Sequence, residues 1–200
     1  GMRATGSPDT PADQTRVKRS WVGPLLGPSW PDGTLYRLPL FVVLAPCLAA
    51  VQLGIGAGAL AEVDRRLRDG VGANRGSLGD DPVGLADLAN AHVRLDAARA
   101  LLHTVLDEAW AVAEAGGIPS RPVQARAFLA ALECSDAGVE ATTTAHRLVG
   151  GAAANTNHPL NRALRDIQTS RQHVMFSHQH RPAMARIAAG IAEAFPPSVV

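Results

Sequence analysis

The chain opens without periodicity. Residues 1–37 mix Pro, Gly, Ser and charge, with Trp21, Trp30 and Tyr36 scattered among them. The first fifteen residues are expected to be disordered, because they hold too little apolar surface to offset the entropy of ordering. "WPDGT" at 30–34 is a turn signal. From there on the apolar residues recur at helical spacing. A first helix is expected from about 39 to 69, stopped by Gly70, followed by the loop "VGANRGSLGD". Asp81 before Pro82 marks a second start: an acceptor for a free N–H, then a proline whose missing N–H is no loss. Leu85, Leu88, His92, Leu95, Leu102 and Leu106 then recur three and four apart as one buried stripe, to about 115 and Gly116-Gly117. Ser120 is expected to cap a third helix ending at Gly150-Gly151. Pro159 sits in the first turn of a fourth, expected to reach 178, where Pro182 interrupts it. A short fifth, 183–194, ends at Pro196-Pro197.

Four long helices with no convincing strand predict an all-α, antiparallel four-helix bundle over 38–195, with a short extra C-terminal helix. The third helix, "ALECSDAGVEATTTAH", has few large side chains, so whatever packs there approaches closely. "GIGAG" at 54–58 falls inside the first helix, where it serves packing and not phosphate binding.

Composition narrows the function classes. Hydrophobic residues make up 46% and charged residues 18%, as in a globular chain, and the net charge of +1 gives no field for nucleic acid. Lys18 is the sole lysine. Cys47 and Cys134 lack zinc-ligand neighbours and read as reduced, buried thiols of a cytoplasmic protein. Gly1-Met2 reads as a tag scar before a native start. Residues 38–61 carry no charge and are long enough to span a bilayer, and Arg16, Lys18 and Arg19 precede them. "LAPC" at 44–47 is similar to a lipoprotein cleavage box, yet Pro46 stands where that box needs Gly or Ala. Ala and Gly dominate the second half, and the helix runs on into "EVDRRLRDG" with its spacing intact. No membrane role is expected.

"LNRALRDIQTSRQHVMFSHQH", 160–180, concentrates the chain's chemistry. Leu160, Leu164, Ile167, Val174 and Met175 share one side of a helix. Asp166, Ser170, His173 and Ser177 share another, with Arg162 and Thr169 beside them. That stripe can hold a polar ligand or lie in water. His173 and His180 are roughly 10 Å apart along a helix, too far for one ion, so no metal site is expected. His92 is expected to be a core histidine bonded to a backbone carbonyl.

"GGAAANTNHPLNRALRDIQTSRQH", 150–173, resembles the C-terminal part of acyl-CoA dehydrogenase-like flavoproteins, in the type-2 branch that includes flavin-dependent two-component monooxygenases. The matching positions are Gly150, Gly151, Pro159, Leu160, Arg162, Arg165, Asp166 and His173. "GTLYRLPL", 33–40, is similar to the family's strand end entering this bundle, and "LGIGAGALAEV", 53–63, to its first helix. The resemblance implies a bundle that forms an oligomer core, dimer or tetramer, and a flavin, FAD or FMN. It implies that His173 faces the flavin ring as the catalytic residue, hydrogen-bonding there or taking a substrate proton. Ser170, Ser177, Gly150 and Gly151 are the cofactor-binding positions it implies. No glutamate occurs between 141 and 192, which disfavours acyl-CoA dehydrogenation. The Arg165–Asp166 pair is expected to organise the helix or a subunit contact. The family's complete proteins carry a helical and a β-domain ahead of the bundle, for which residues 1–37 are too few. A truncated product inactive alone, a separate chain supplying those domains, or a non-catalytic oligomerisation or ligand-binding bundle are the readings this leaves.

Overall fold

The computed structural model describes residues 15–22, 33–70, 78–192 and 195. The expected disorder of the N-terminal residues, part of the 30–34 turn and most of the 71–80 loop lie outside them. The helices are α1 (Leu40–Arg68), α2 (Pro82–Glu114), α3 (Arg121–Val149), α4 (Pro159–Arg171) and α5 (His180–Ala188). Among the described residues there is no strand. The family-like strand end at 33–40 is instead a 3-10 turn, Thr34–Arg37, leading into α1. The fold is an all-α antiparallel bundle of four helices with a short fifth. Cross-helix bonds run in opposite order on α2 and α3, where Arg147 meets Asp87 and Arg126 meets Glu108. They do so again on α1 and α4, where Gln52 meets Ser170 and Arg66 meets His158.

α3 is the central helix, packed against α1, α2, α4 and α5. Small residues dominate its buried positions, among them Ala130, Ala131, Ser135, Ala137, Gly138, Ala141 and Ala145. They let α1 come very close, because interaxial distance is set by side-chain size at the contact. A Cβ added to Gly138 would lie 2.7 Å from the carbonyl oxygen of Gln52. One added to Gly56 would lie 3.1 Å from the Gly138 Cα. Of the three glycines in "GIGAG", Gly56 is therefore the packing residue, while Gly54 and Gly58 face open space. α1 is apolar and long enough to cross a membrane by length and composition. Its inner face is nonetheless core, with Ala45, Ala49, Leu53, Leu60 and Val63 buried.

Helix ends follow local chemistry. The Asp81 carboxylate accepts from the Val83 N–H at 3.1 Å, as its position before Pro82 predicts. Gly70, Gly116 and Gly150 take positive φ after α1, α2 and α3. Ser120 precedes α3 without a side-chain cap; the amide of Gln124 reaches back to the Pro119 carbonyl at 2.7 Å instead.

Several expectations are corrected. In α2, Leu88, Leu95 and Leu102 are core, but Leu85 is 36% exposed. His92 lies at the edge of the stripe, with Nε2 3.3 Å from Asp64 Oδ1 in place of a backbone carbonyl. Cys47 is exposed, because it falls on the outer side of α1. Cys134 is buried, its Sγ donating to the Ala98 carbonyl at 3.3 Å, and burial pushes its thiol up to about 12. α4 ends at Arg171 and not at 178. α5 starts at His180, so Pro182 lies in its first turn, where an N–H has no helical partner to lose.

Substitution separates the tight glycine from the open one. Gly138→Ala should lower stability by about 2 kcal/mol, because overpacking against backbone exceeds the gain of about 1 kcal/mol in helix propensity. Gly58→Ala, facing open space, should hold or raise the melting temperature. Equal melting temperatures for the two variants would contradict the close α1–α3 contact.

Candidate functional site

The helix that carries the polar stripe stops two residues before His173. Gln172 is the C-cap of α4, and His173 opens a 3-10 turn, Val174–Phe176. Met175 and Phe176 plug into the core at 5% and 2% exposure, while Val174, expected to face the bundle, is 62% exposed. The four polar residues therefore do not form one helical face. Asp166 is half-buried and lies 3.4 Å from Arg162 Nε. Arg165 turns to Asn161, its Nε 3.1 Å from Oδ1, so Arg165 and Asp166 each make a contact one turn back along α4.

His173 is exposed. Its Nδ1 accepts from the Met175 N–H at 3.3 Å. An accepting Nδ1 leaves the neutral ring's proton on Nε2, so the ring presents an Nε2–H donor. Ser170 looks inward: its Oγ accepts from Gln52 Nε2 at 2.8 Å, which leaves its O–H to donate. Gln52 is completely buried, and its Oε1 has no partner among the described residues. Ser177 Oγ accepts from the Gln179 N–H at 3.4 Å at the entry to α5. Ser170, His173 and Ser177 thus cluster at the C-terminal end of α4. Gly150 and Gly151 lie at the other end, in the 3-10 turn Gly150–Ala154 that follows α3. α4, 13 residues and about 20 Å long, lies between the two groups.

Sequence reasoning missed the residues that build this turn. Arg171, 13% exposed at its side chain, pairs with Asp136 at 2.7 Å and donates to the Phe176 carbonyl at 2.6 Å. His180 is buried and donates from Nε2 to the Val174 carbonyl at 2.9 Å, its ring edge-on to Phe128. Arg181 pairs with Asp136 as well. Gln52 had a readable signal, as the single amide in the uncharged run 38–61. Arg171 and His180 had none, since each bonds to a backbone carbonyl of the turn and Arg171 pairs with an aspartate 35 residues away in the chain.

At the far end of α4, His158 caps the helix through Nδ1, which accepts from the Leu160 N–H at 3.1 Å. Its Nε2 lies 2.7 Å from Arg66 Nη2. Both ring nitrogens thus face donors. Burial first, then the Arg66 charge, hold its pKa below the ordinary value of 6.5.

The family described as acyl-CoA dehydrogenase, C-terminal domain, matches residues 46–178, and the chain belongs to it. It is 24% identical over 174 residues to the indole-3-acetate monooxygenase of Acinetobacter baumannii, an alignment covering 86% of this chain and 45% of that protein. The chain thus spans less than half of that relative. Two solved structures share the fold. XiaF from Streptomyces sp., in complex with FADH2 and glycerol, superposes with a TM-score of 0.74 at 18% identity, over 82% of this chain and 42% of that one. The 3-HSA hydroxylase from Rhodococcus sp. RHA1 gives 0.72 at 19% identity, over 84% and 44%.

His158 predicts a pH effect with a defined sign. A depressed folded pKa means the unfolded chain binds the proton more readily. The contribution to stability is present above about 6.5 and is lost as pH falls through the lower folded value. His158→Asn keeps an N-cap acceptor and removes the titration. Thermal melts at about pH 7.5 and about pH 5.5 should show a smaller drop in this variant than in the unsubstituted chain. An equal drop in both would exclude His158 as a source.

Proposed function

We propose that the chain is the C-terminal helical part of a flavin-dependent monooxygenase, with His173 meeting the flavin. The observation that carries this reading is an exposed imidazole on an anchored turn, its Nδ1 occupied by the Met175 N–H so that Nε2–H is the nitrogen left to meet a ligand. Relatives bearing monooxygenase names support it, as does the absence of any glutamate between 141 and 192. The donor set suits a flavin ring, whose carbonyl and ring nitrogens accept hydrogen bonds. His173 offers Nε2–H from the exposed turn, while Ser170, turned inward to Gln52, steadies the last turn of α4 beside it. Reduced flavin, when bound, supplies the electrons for oxygen chemistry. His173 then serves as a hydrogen-bond donor. Taking a substrate proton at Nε2 would need the other tautomer, which sets Nδ1–H against the Met175 N–H. Reaching Gly150 and Gly151 as well, beyond the far end of α4, takes an extended ligand, which favours FAD over FMN.

The other walls of the pocket belong, on this reading, to the part of the relatives that this chain does not span. A preorganised site needs those walls, so the chain by itself does not turn over substrate; a separate chain could supply them. Oligomerisation belongs to the same proposal. Leu40, Leu44, Cys47 and Val51 recur at four, three and four along the outer side of α1, with Val51 58% exposed. A contiguous apolar stripe of this kind suits a second copy of the chain. Residence in the cytoplasm completes the reading.

Titration with oxidised and anaerobically reduced FAD and FMN tests the site through flavin fluorescence. We expect saturable binding that His173→Ala weakens roughly tenfold, the loss of one hydrogen bond of about 1.4 kcal/mol. No binding up to about millimolar flavin, from a folded oligomer, would favour a non-catalytic oligomerisation bundle. Val51→Asp should lower the mass measured by light scattering toward the monomer. An unchanged mass would place the contact elsewhere.

A further inference from the structure

We infer that Arg171 is the positioning residue of His173. It holds the turn that carries the imidazole, and so fixes which ring nitrogen faces outward. The inference rests on the reading that His173 meets a flavin, and it adds a residue on which that encounter depends.

Residues 172–177 lie between the ends of two helices and need outside contacts to hold one conformation. The side chains of Met175 and Phe176 supply apolar anchors. The backbone is held at two carbonyls, Val174 by His180 and Phe176 by Arg171. Arg171 ties the turn to α3 by charge and hydrogen bond, through Asp136 and Ser135, whereas His180 meets α3 through ring packing on Phe128. Nη1 donates to the Phe176 carbonyl at 2.6 Å and faces Ser135 Oγ at 3.4 Å. Nη2 donates to His178 Nε2 at 2.5 Å and pairs with Asp136 Oδ1 at 2.7 Å. Four partners in different directions require the planar, five-donor fork of a guanidinium, which an ammonium does not match.

Asp136 is itself shared with Arg181 of α5. Arg181 also reaches Glu133 at 3.8 Å, and Glu133 and Glu140 both pair with Arg94 of α2. The guanidinium of Arg171 is therefore tied to the frame of the bundle. If it lets go of Phe176, the turn keeps its apolar anchors and the His180 bond but loses its charged tie to α3, and the bond from the Met175 N–H to His173 Nδ1 loosens. A ring released from that bond samples both tautomers.

The test is the tautomer of His173, read by long-range proton–nitrogen NMR on labelled protein at about pH 8. The full chain is compared with Arg171→Lys, and circular dichroism checks the fold. The unsubstituted chain should show the Nε2–H form alone. Arg171→Lys should retain its helix signal, show a mixture of the two forms and bind reduced flavin roughly tenfold more weakly. A single Nε2–H form in a folded Arg171→Lys overturns the inference, and so does a mixture in the unsubstituted chain. Should Arg171→Lys fail to fold, Asp136→Asn keeps the guanidinium and removes its counter-ion. The same mixture is then expected, and a single form again overturns the inference. Absence of flavin binding by the unsubstituted chain would defeat the flavin reading alone, because the tautomer comparison needs no flavin.

Discussion

The close approach of α1 and α3 is the constraint on which the rest of the structure depends. At Gly56 and Gly138 the two helices meet backbone to backbone, with no room for a Cβ at Gly138 and little at Gly56. That contact presses the Gln52 backbone against α3 while its side-chain amide donates to Ser170 on α4. Three helices are thereby registered at one level of the bundle. Thr142, buried one turn along α3, returns its hydroxyl to the Gly138 carbonyl at 2.8 Å, so the polar groups of this tight stretch are largely satisfied within it.

From that level the bundle hands geometry outward in two ways. Toward the C-terminal end of α4, the acidic residues of α3 collect the arginines of three other elements. Asp136 takes Arg171 and Arg181, while Glu133 and Glu140 take Arg94. Exposed ion pairs contribute little stability singly, but a network whose members are half-buried fixes direction. Toward the other end, Arg66 and Glu62 of α1 stand against His158 at the N-cap of α4. α4 is thus clamped at both termini, and the turn after it inherits a fixed starting point. The long core helices supply rigidity, and a short irregular segment presents the chemistry, the usual division of labour between elements and loops.

Much of this was legible in the residues themselves. Asp81-Pro82, Gly70, Gly116 and Gly150 mark helix boundaries because their reasons are local: a cap acceptor, a missing donor, a left-handed φ. Leu88, Leu95 and Leu102 report the buried side of α2 through spacing alone. The end of α4 was not legible, because it depends on competition. Helical spacing would carry His173 and Ser177 on along α4, but the Phe176 carbonyl bonds to Arg171 and the Val174 carbonyl to His180. Pro182 misled for a related reason, since a proline in a first turn and one that breaks a helix look alike until the start of the helix is known.

The sequence by itself determined the class of the fold and the number of helices, which follow from periodicity and capping chemistry; the proposed role of His173 comes from the family resemblance of a short pattern of Arg, Asp and His. Only the tertiary structure decided where His173 stands, which of its nitrogens faces outward, and that Ser170 answers to Gln52. The reason is physical. The direction of the Ser170 hydroxyl is set by Gln52, more than a hundred residues away, and the short-range bond from the Met175 N–H to His173 Nδ1 sits in a turn held by Arg171 and His180. No local pattern encodes a bond whose two ends meet only when helices pack.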